Sequence, residues 1–329
     1  MATVTTRPEA PAPSPPRLTA RKPALADRGF RYLALACGLL VLVILTLIAV
    51  AIVSKAWPAF RHEGLRFFTS KVWDPANNKF GALAFAYGTI VTSCIALVVG
   101  VPVSIGIALV LTEVAPTWTR TPVIYVIDLL AAVPSVVFGL WGLLVLSKPL
   151  DNRYADLNNW FRHIPVLNTL FSGGGHQGTS LMTAGLILAI MITPIVTSLS
   201  REVFATVPTA QKEAALALGA TRWEMIRASV LTYGRSGVVG AVMLGLGRAM
   251  GETIAVALLI GSNAQITGHL FRPGDSMAGV IANQFGEATG TFRAALIGLG
   301  VVLFAITILV NLGARAVLNR SERFLGGSL

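Results

Sequence analysis

The chain has 329 residues, of which 54% are hydrophobic and only 12% are charged, and its mean hydropathy is +0.71. An ordinary soluble domain carries about 25% charged residues, so this composition excludes a typical soluble enzyme. The net charge is +11. The basic residues stand at the ends of apolar runs, where they set topology and contact anionic headgroups, so the charge does not indicate a nucleic-acid partner.

Six apolar runs are long enough to cross a lipid bilayer, because a helical span needs about 20 predominantly apolar residues. In lipid the backbone must satisfy its own hydrogen bonds, so long apolar runs predict helices, whereas a β-barrel would show short alternating segments. The sequence therefore predicts an all-α polytopic membrane protein with about six transmembrane helices. The runs cover about residues 33–54, 80–112, 122–147, 181–199, 237–261 and 294–314.

The N-terminal segment, residues 1–31, is polar and rich in proline, so we expect a disordered cytoplasmic tail. The first span, residues 32–54, is too long for the apolar core of a signal peptide and is followed by no A-x-A-type cleavage site, which predicts an uncleaved helix. With the N-terminus inside, six spans place the C-terminus inside as well. The segments assigned to the inside hold more Lys and Arg than the outside loops, which favours this orientation.

The loop between the fourth and fifth spans, residues 201–235, predicts two short cytoplasmic helices. Pro208 suits the first turn of the first helix, and Gly219 suits its C-cap. Thr221 and Glu224 have the spacing of a capping box for the second helix. The loop therefore predicts a helical elbow.

The string EAALALGATRWEMIRASVL in this loop resembles the EAA motif of binding-protein-dependent ABC importer permeases. The residues that match the motif are Glu213, Ala214, Ala215 and Gly219, whereas Thr232 stands at the usual proline position. The resemblance implies a type I ABC importer permease fold for residues 80–318, with the elbow as the coupling helix that docks on a cytoplasmic ATPase subunit. Ala214, Ala215 and Leu218 are expected to share one face of the first helix, where the small alanines permit close approach to a groove.

The chain has no Walker A string, so we expect it not to be an enzyme and expect ATP hydrolysis to occur on a partner chain. No cofactor is expected. The spacing of the four histidines indicates no metal site; these are His62, His163, His176 and His269.

Three charged residues lie inside the apolar runs. Arg248 and Glu252 stand at positions i and i+4, which places them on one face if the span is a continuous helix. Counted from Gly237, Arg248 lies about 16 Å into the span, where a lone arginine costs about 2.5–3.5 kcal/mol. The pair is interpreted either as an ion pair that locks helices together or as part of a substrate path in which Arg248 binds an anion. Asp128 lies nearer the cytoplasmic end and is assigned a structural or gating role.

Two further strings resemble signatures of the phosphate transport system permeases: GLGRAMGETIAVALLIGS in the fifth span and LLAAVPSVVFGLWGLLVL at residues 129–146. The ending GETIAV favours the PstC type of subunit over the PstA type. The resemblance implies a permease subunit of an ATP-driven importer of inorganic phosphate in the bacterial inner membrane. It also implies a PstA-like second permease subunit, two PstB-like ATPase subunits and a PstS-like extracytoplasmic binding protein.

Other functions remain open at the level of sequence. The same machinery can serve another oxyanion, such as sulfate, molybdate or phosphonate. A secondary transporter driven by an ion gradient is a more distant alternative, which the EAA-like elbow argues against. The third alternative is a structural or assembly factor of the membrane. The charged residues inside the apolar runs argue against it.

Overall fold

The computed structural model describes residues 25–161, 164, 170 and 178–326, and most of these residues are helical. The helices are α1 (Leu25–Glu63), α2 (Arg66–Thr69), α3 (Leu83–Leu109), α4 (Thr117–Ala132), α5 (Ser135–Trp141), α6 (Ser147–Phe161), α7 (Leu181–Ala205), α8 (Thr209–Ala217), α9 (Arg222–Met225), α10 (Leu231–Gly251), α11 (Ile254–Leu259), α12 (Met277–Gln284) and α13 (Gly290–Gly326).

Three π-helical segments extend or join these helices. They are Val110–Val114 after α3, Gly142–Leu146 between α5 and α6, and Ile226–Val230 between α9 and α10. Two short strands, β1 (Trp73–Asp74) and β2 (Lys79–Phe80), form an antiparallel hairpin with Trp73 opposite Phe80.

Two compact units divide the chain, Met1–Ala51 and Ile52–Leu329. In the first unit, the described residues belong to α1, and the apolar side chains from Phe30 to Val50 are exposed, as expected for a helix in lipid. Because α1 begins at Leu25, residues 25–31 are helical, although the sequence assigns them to the tail. Residues 1–24 lie outside the described part of the chain.

Within the described part of the chain, five helical segments are long and apolar enough to span a membrane. The bent pair of α4 with the helix that begins at Ser135 makes a sixth if it is counted as one span. The prediction of an all-α protein with about six spans is therefore confirmed. The five segments are Gly29–Glu63, Leu83–Val114, Leu181–Ala205, Arg222–Gly251 and Gly290–Ala316.

The third apolar run is not a straight helix, because it bends by 92° between α4 and α5. Val133 has ψ 128°, and the ring of Pro134 accounts for this extended conformation, since a proline disfavours the α conformation of the residue before it. The fifth run also differs from the prediction, because α10 ends at Gly251 and the segment that crosses begins at Arg222.

The core of the second unit forms where α3 packs against α7. A Cβ atom on Gly100 would lie 3.1 Å from the carbonyl oxygen of Ala189, so glycine permits the close approach of the two helices. The Ser104 hydroxyl donates to the Thr193 carbonyl, and the Thr197 hydroxyl donates to the Ser104 carbonyl, each at 3.3 Å. These bonds satisfy polar groups within the helix pair.

Helix α10 joins this pair through a second close approach. A Cβ atom on Gly245 would lie 2.7 Å from Cγ2 of Val196 in α7. Helices α3, α7 and α10 therefore form a contiguous packed unit, and α10 presents Arg248 one turn beyond that contact.

Candidate substrate pathway and coupling elbow

Helix α10 ends one turn after Arg248, at a break that separates it from α11. Glu252 has φ −69° and ψ 127°, an extended conformation that cannot continue the helix. The Glu252 carboxylate accepts a hydrogen bond from the Ala255 backbone N–H at 3.4 Å, within the first turn of α11. Glu252 therefore belongs to the start of α11.

Arg248 and Glu252 do not share a continuous helix, so the prediction that they lie on one helical face is wrong. The reason is local: Glu252 adopts an extended backbone and directs its carboxylate to an N–H group of the following helix. Among the described residues, the salt bridges are His62–Glu63 and Lys212–Glu113, and Arg248 forms none.

Arg248 is half-buried, and the next two residues of α10, Ala249 and Met250, are buried. No carboxylate among the described residues lies within salt-bridge distance of its guanidinium. A guanidinium keeps its charge and donates bidentate hydrogen bonds, so Arg248 is able to bind an oxyanion.

The break between α4 and α5 lies beside the break between α10 and α11, because α5 packs closely against α11. A Cβ atom on Gly139 would lie 2.8 Å from the Cα of Ala255, and a Cβ atom on Gly142 would lie 3.0 Å from Cδ1 of Leu259. Moving forward from Gly139 to Gly142, just past the end of α5, moves the contact forward from Ala255 to Leu259 in α11. The two helices therefore run in the same direction. At 1.5 Å per residue, their first residues lie within about one helical turn of each other.

The two paired breaks have an electrostatic consequence. The first N–H groups of a helix lack intrahelical acceptors, and its N-terminal end carries a partial positive charge. Both α5 and α11 begin at this level, and α10 ends with Arg248 in its last turn. The C-terminal ends of α4 and α10 at the same two breaks carry the opposite partial charge, so the net positive charge that attracts an anion here is that of the Arg248 guanidinium.

Asp128 lies about one and a half turns before the break that follows α4, and it is exposed. It lines a crevice too narrow to hold a water molecule, together with Arg201 and Ser198 of α7. Within the described part of the chain, Asp128 and Arg201 do not form a salt bridge. A structural or gating role for Asp128 remains a prediction.

The elbow begins with α8 and turns at Gly219. Gly219 has φ +85°, a conformation that glycine adopts without steric cost. Thr221 and Glu224 form the capping box that the sequence predicts, with Glu224 N donating to Thr221 Oγ1 at 3.3 Å and Thr221 N donating to Glu224 Oε2 at 2.8 Å. Helix α9 then continues through Ile226–Val230 into α10, so the second short helix is the start of the fifth span.

The four motif residues differ in exposure. Glu213, Ala214 and Gly219 are exposed, whereas Ala215 packs against an apolar cluster that includes Val207 and Ile226. The expectation that Ala215 shares an outward face with Ala214 is therefore wrong. The outward surface instead carries Leu218, which is 90% exposed, and Trp223, which is 62% exposed.

Sequence reasoning missed Glu113, whose carboxylate accepts a hydrogen bond from Lys212 Nζ at 2.5 Å. The signal in the sequence was the presence of an acidic residue at the end of the second apolar run. Among the described residues, no group of three or more His, Cys, Asp or Glu is placed to hold a metal ion. His163 and His176 lie outside the described residues.

The family model of binding-protein-dependent transport system inner membrane components matches residues 100–323. The chain belongs to this family. The match includes the elbow, both breaks and Arg248. The prediction of a type I ABC importer permease fold is therefore confirmed. The three sequence strings that predicted it all lie within the match.

Relatives named phosphate transport system permease protein PstC confirm the predicted resemblance to the PstC type. The protein from Xylella fastidiosa (strain Temecula1) is 47% identical over 301 residues, which cover 91% of this chain and 93% of the relative. The protein from Mesorhizobium japonicum is 44% identical over 310 residues, covering 94% of each. PstC 2 from Mycobacterium tuberculosis is 44% identical over 301 residues, covering 88% of this chain and 91% of the relative.

Two solved structures share the fold. One is a bacterial ABC transporter involved in the import of the acidic polysaccharide alginate, with a TM-score of 0.56 and 18% identity over 90% of this chain and 98% of the matched chain. The other is a bacterial alginate ABC transporter in complex with an alginate pentasaccharide-bound periplasmic protein, with a TM-score of 0.59 and 17% identity over 90% and 97%.

Proposed function

We propose that this chain is the permease subunit through which an ATP-driven, binding-protein-dependent importer moves inorganic phosphate into a bacterium across its inner membrane. The observation that carries the proposal is Arg248, a half-buried guanidinium one turn before the break between α10 and α11. The relatives named as phosphate permeases, at 44–47% identity over most of the chain, support phosphate as the anion.

The chemistry of the break suits a transient phosphate site. Phosphate near pH 7 is a mono- or dianion, and Arg248 is able to bind two of its oxygens in parallel. The Glu252 carboxylate repels the anion, which keeps binding weak enough for the anion to leave.

The elbow supports docking on an ATPase. Its surface exposes Leu218 and Trp223, two apolar side chains that are available to pack in a groove of a partner. The proposed assembly contains a PstA-like second permease subunit, two PstB-like ATPase subunits and a PstS-like extracytoplasmic binding protein. ATP binding closes the ATPase pair and displaces the elbow, which switches the bundle between its inward- and outward-facing states.

The test of the pathway is replacement of Arg248. We expect Arg248→Gln to reduce uptake of radiolabelled phosphate by at least about tenfold, since hydrogen bonds to charged groups contribute about 1.5–3 kcal/mol. The complex should still assemble with its ATPase. The measurement is uptake in proteoliposomes that contain the whole complex, ATP and loaded binding protein.

The matched control is Arg235→Gln, which removes an exposed arginine from the cytoplasmic part of the same helix and should retain uptake. Normal uptake by Arg248→Gln would contradict the pathway assignment. Competition by excess sulfate, molybdate or phosphonate would instead identify another oxyanion as the substrate. Uptake that persists without ATP but stops when the ion gradient collapses would indicate a secondary transporter.

A further inference from the structure

An ion pair ties the elbow to the end of α3. Lys212, in the first half of α8, donates a hydrogen bond from Nζ to Oε1 of Glu113 at 2.5 Å. The Glu113 side chain is only 8% exposed and that of Lys212 is 20% exposed. A largely buried carboxylate is costly without a partner, so this pair is held together more strongly than a surface salt bridge.

Glu113 lies in the π-helical segment Val110–Val114, which ends α3. The Ala115 N–H donates to the Val110 carbonyl at 2.7 Å, across five residues. Single π-helical turns within α-helices recur at functional sites. Here the π-helical turn places the carboxylate at the elbow, at the point where α3 ends.

The ion pair differs in kind from the other contacts of α8. Ala215 packs into an apolar cluster with Val207, Ile226 and Val230, and the Ser229 hydroxyl donates to the Gln211 carbonyl at 3.4 Å. The same cluster includes Ala108 at the end of α3, so apolar packing also joins the elbow to α3. Lys212 adds a short and directional bond to the same helix, about 100 residues earlier in the sequence.

From Glu113 the packed contacts continue to the helix that carries Arg248. Helix α3 packs against α7 at Gly100 and Ala189, and α7 packs against α10 at Val196 and Gly245. Gly245 lies one turn before Arg248. A rigid, contiguous set of contacts therefore connects Lys212 to the candidate anion site.

We propose that the Glu113–Lys212 ion pair is the link that passes a displacement of α8 to α3, so that its loss uncouples ATP hydrolysis from anion movement. Both residues are positioning residues, and neither contacts the substrate. The inference rests on the proposed function, because the movement that it couples is the import of phosphate.

The guanidinium of Arg222 lies near the ion pair and must be considered when variants are chosen. Glu113 and Lys212 line a cavity of about 260 Å³ together with Glu213 and Arg222. In a Lys212→Met variant, Arg222 is the remaining basic side chain that faces the carboxylate across this cavity. Glu113→Gln removes the acid itself, and the double exchange Glu113→Lys with Lys212→Glu restores a pair of opposite charges in reversed order.

The experiment uses the whole complex of permease subunits, ATPase and binding protein in proteoliposomes, and it measures phosphate transported per ATP hydrolysed. We expect Glu113→Gln and Lys212→Met to lower this ratio by about tenfold, within the 5–150-fold range of typical coupling. The ATPase should still co-purify. The double exchange should restore most of the ratio, and Lys212→Arg should retain it.

The control is Arg227→Met, which removes an exposed charge from the same elbow and should leave the ratio unchanged. A wild-type ratio in the single variants would overturn the inference. Loss of ATPase association, or failure of the double exchange to restore the ratio, would overturn it as well. A wild-type complex that moves no phosphate would overturn the proposed function, and the link would then be judged by the stimulation of ATP hydrolysis by the binding protein.

Discussion

Asp275 shows how the packing of a loop changes the chemistry of one carboxyl group. It lies between α11 and α12, outside the membrane-spanning segments, and is only 6% exposed. Burial raises the pKa of its carboxyl to about 6, although the hydrogen bond from the Ser276 N–H lowers that pKa. The loop is pressed onto α3, since a Cβ atom on Gly88 would lie 1.9 Å from the Asp275 carbonyl oxygen.

The raised pKa of Asp275 predicts a pH-dependent stability. Because the folded pKa of about 6 exceeds the usual value of 3.8 for an aspartate, the folded state binds more protons between these pH values. Stability should therefore fall as pH rises from about 4 to about 6, by at most about 3 kcal/mol. Asp275→Asn should flatten this slope and raise the unfolding temperature at pH 7, measured by thermal unfolding in detergent.

The control for this prediction is Asp74→Asn in the hairpin. The side chain and backbone N–H of Asn77 hold the pKa of Asp74 below its usual value, so its removal should leave the slope between pH 4 and pH 6 in place. An unchanged slope in Asp275→Asn would show that another group is responsible.

At the level of single residues, the sequence located Arg248 and Glu252 but not their relation. Their spacing predicts a shared face only when the helix is continuous, and continuity depends on the backbone of Glu252. Asp275 and Glu113 were missed for a similar reason. Asp275 lies in a polar loop and Glu113 at the end of an apolar run, and each is buried by a helix distant in the chain.

Among the elements, the elbow was predictable because its signals are local. The conformation of Gly219 and the bonds between Thr221 and Glu224 involve residues at most three positions apart. The continuation of α9 into α10 was not predictable in this way. It follows from packing of Ile226 and Val230 into the apolar cluster at the ends of α3 and α7.

The elbow makes a prediction about docking. We expect Leu218→Glu to weaken co-purification of the ATPase by at least about tenfold, because it places a charge where an apolar contact must lose water. The fold should be unaffected, since Leu218 is 90% exposed. Co-purification in detergent through a tag on the permease measures the effect.

The matched variant is Leu65→Glu, a change of the same chemistry at a residue that is 83% exposed in the turn after α1. It should leave ATPase co-purification unchanged, since we place that turn on the opposite side of the membrane. Equal co-purification in the two variants would remove the reason to call α8 a coupling helix.

For the whole molecule, hydropathy predicted the number and class of spans because the hydrogen bonds of each span are internal to it. Packing was not predictable, since the close approaches of Gly100 in α3 and Gly245 in α10 to helix α7 pair residues far apart in the sequence. The orientation of the chain in the membrane rests on charge bias and remains a prediction.

Cysteine labelling tests this orientation. In a background with Cys37→Ala and Cys94→Ala, we expect an impermeant maleimide to label Ala76→Cys, in the exposed hairpin, on intact cells. Ala217→Cys, exposed on α8, should react only after permeabilisation. The opposite pattern would invert the proposed topology. Retained phosphate uptake in both variants serves as the control for folding.

The glycine contacts between α5 and α11 limit how the candidate pathway moves. The helical backbone is interrupted at two points at this level, Val133–Pro134 and Glu252–Thr253, and each interruption alone would allow its helix to swing independently. Because Gly139 and Gly142 let the two helices touch directly, a tilt of α11 carries α5 with it. The two interruptions therefore move together. A tilt of the bent third span is coupled to a tilt of the span that holds Arg248.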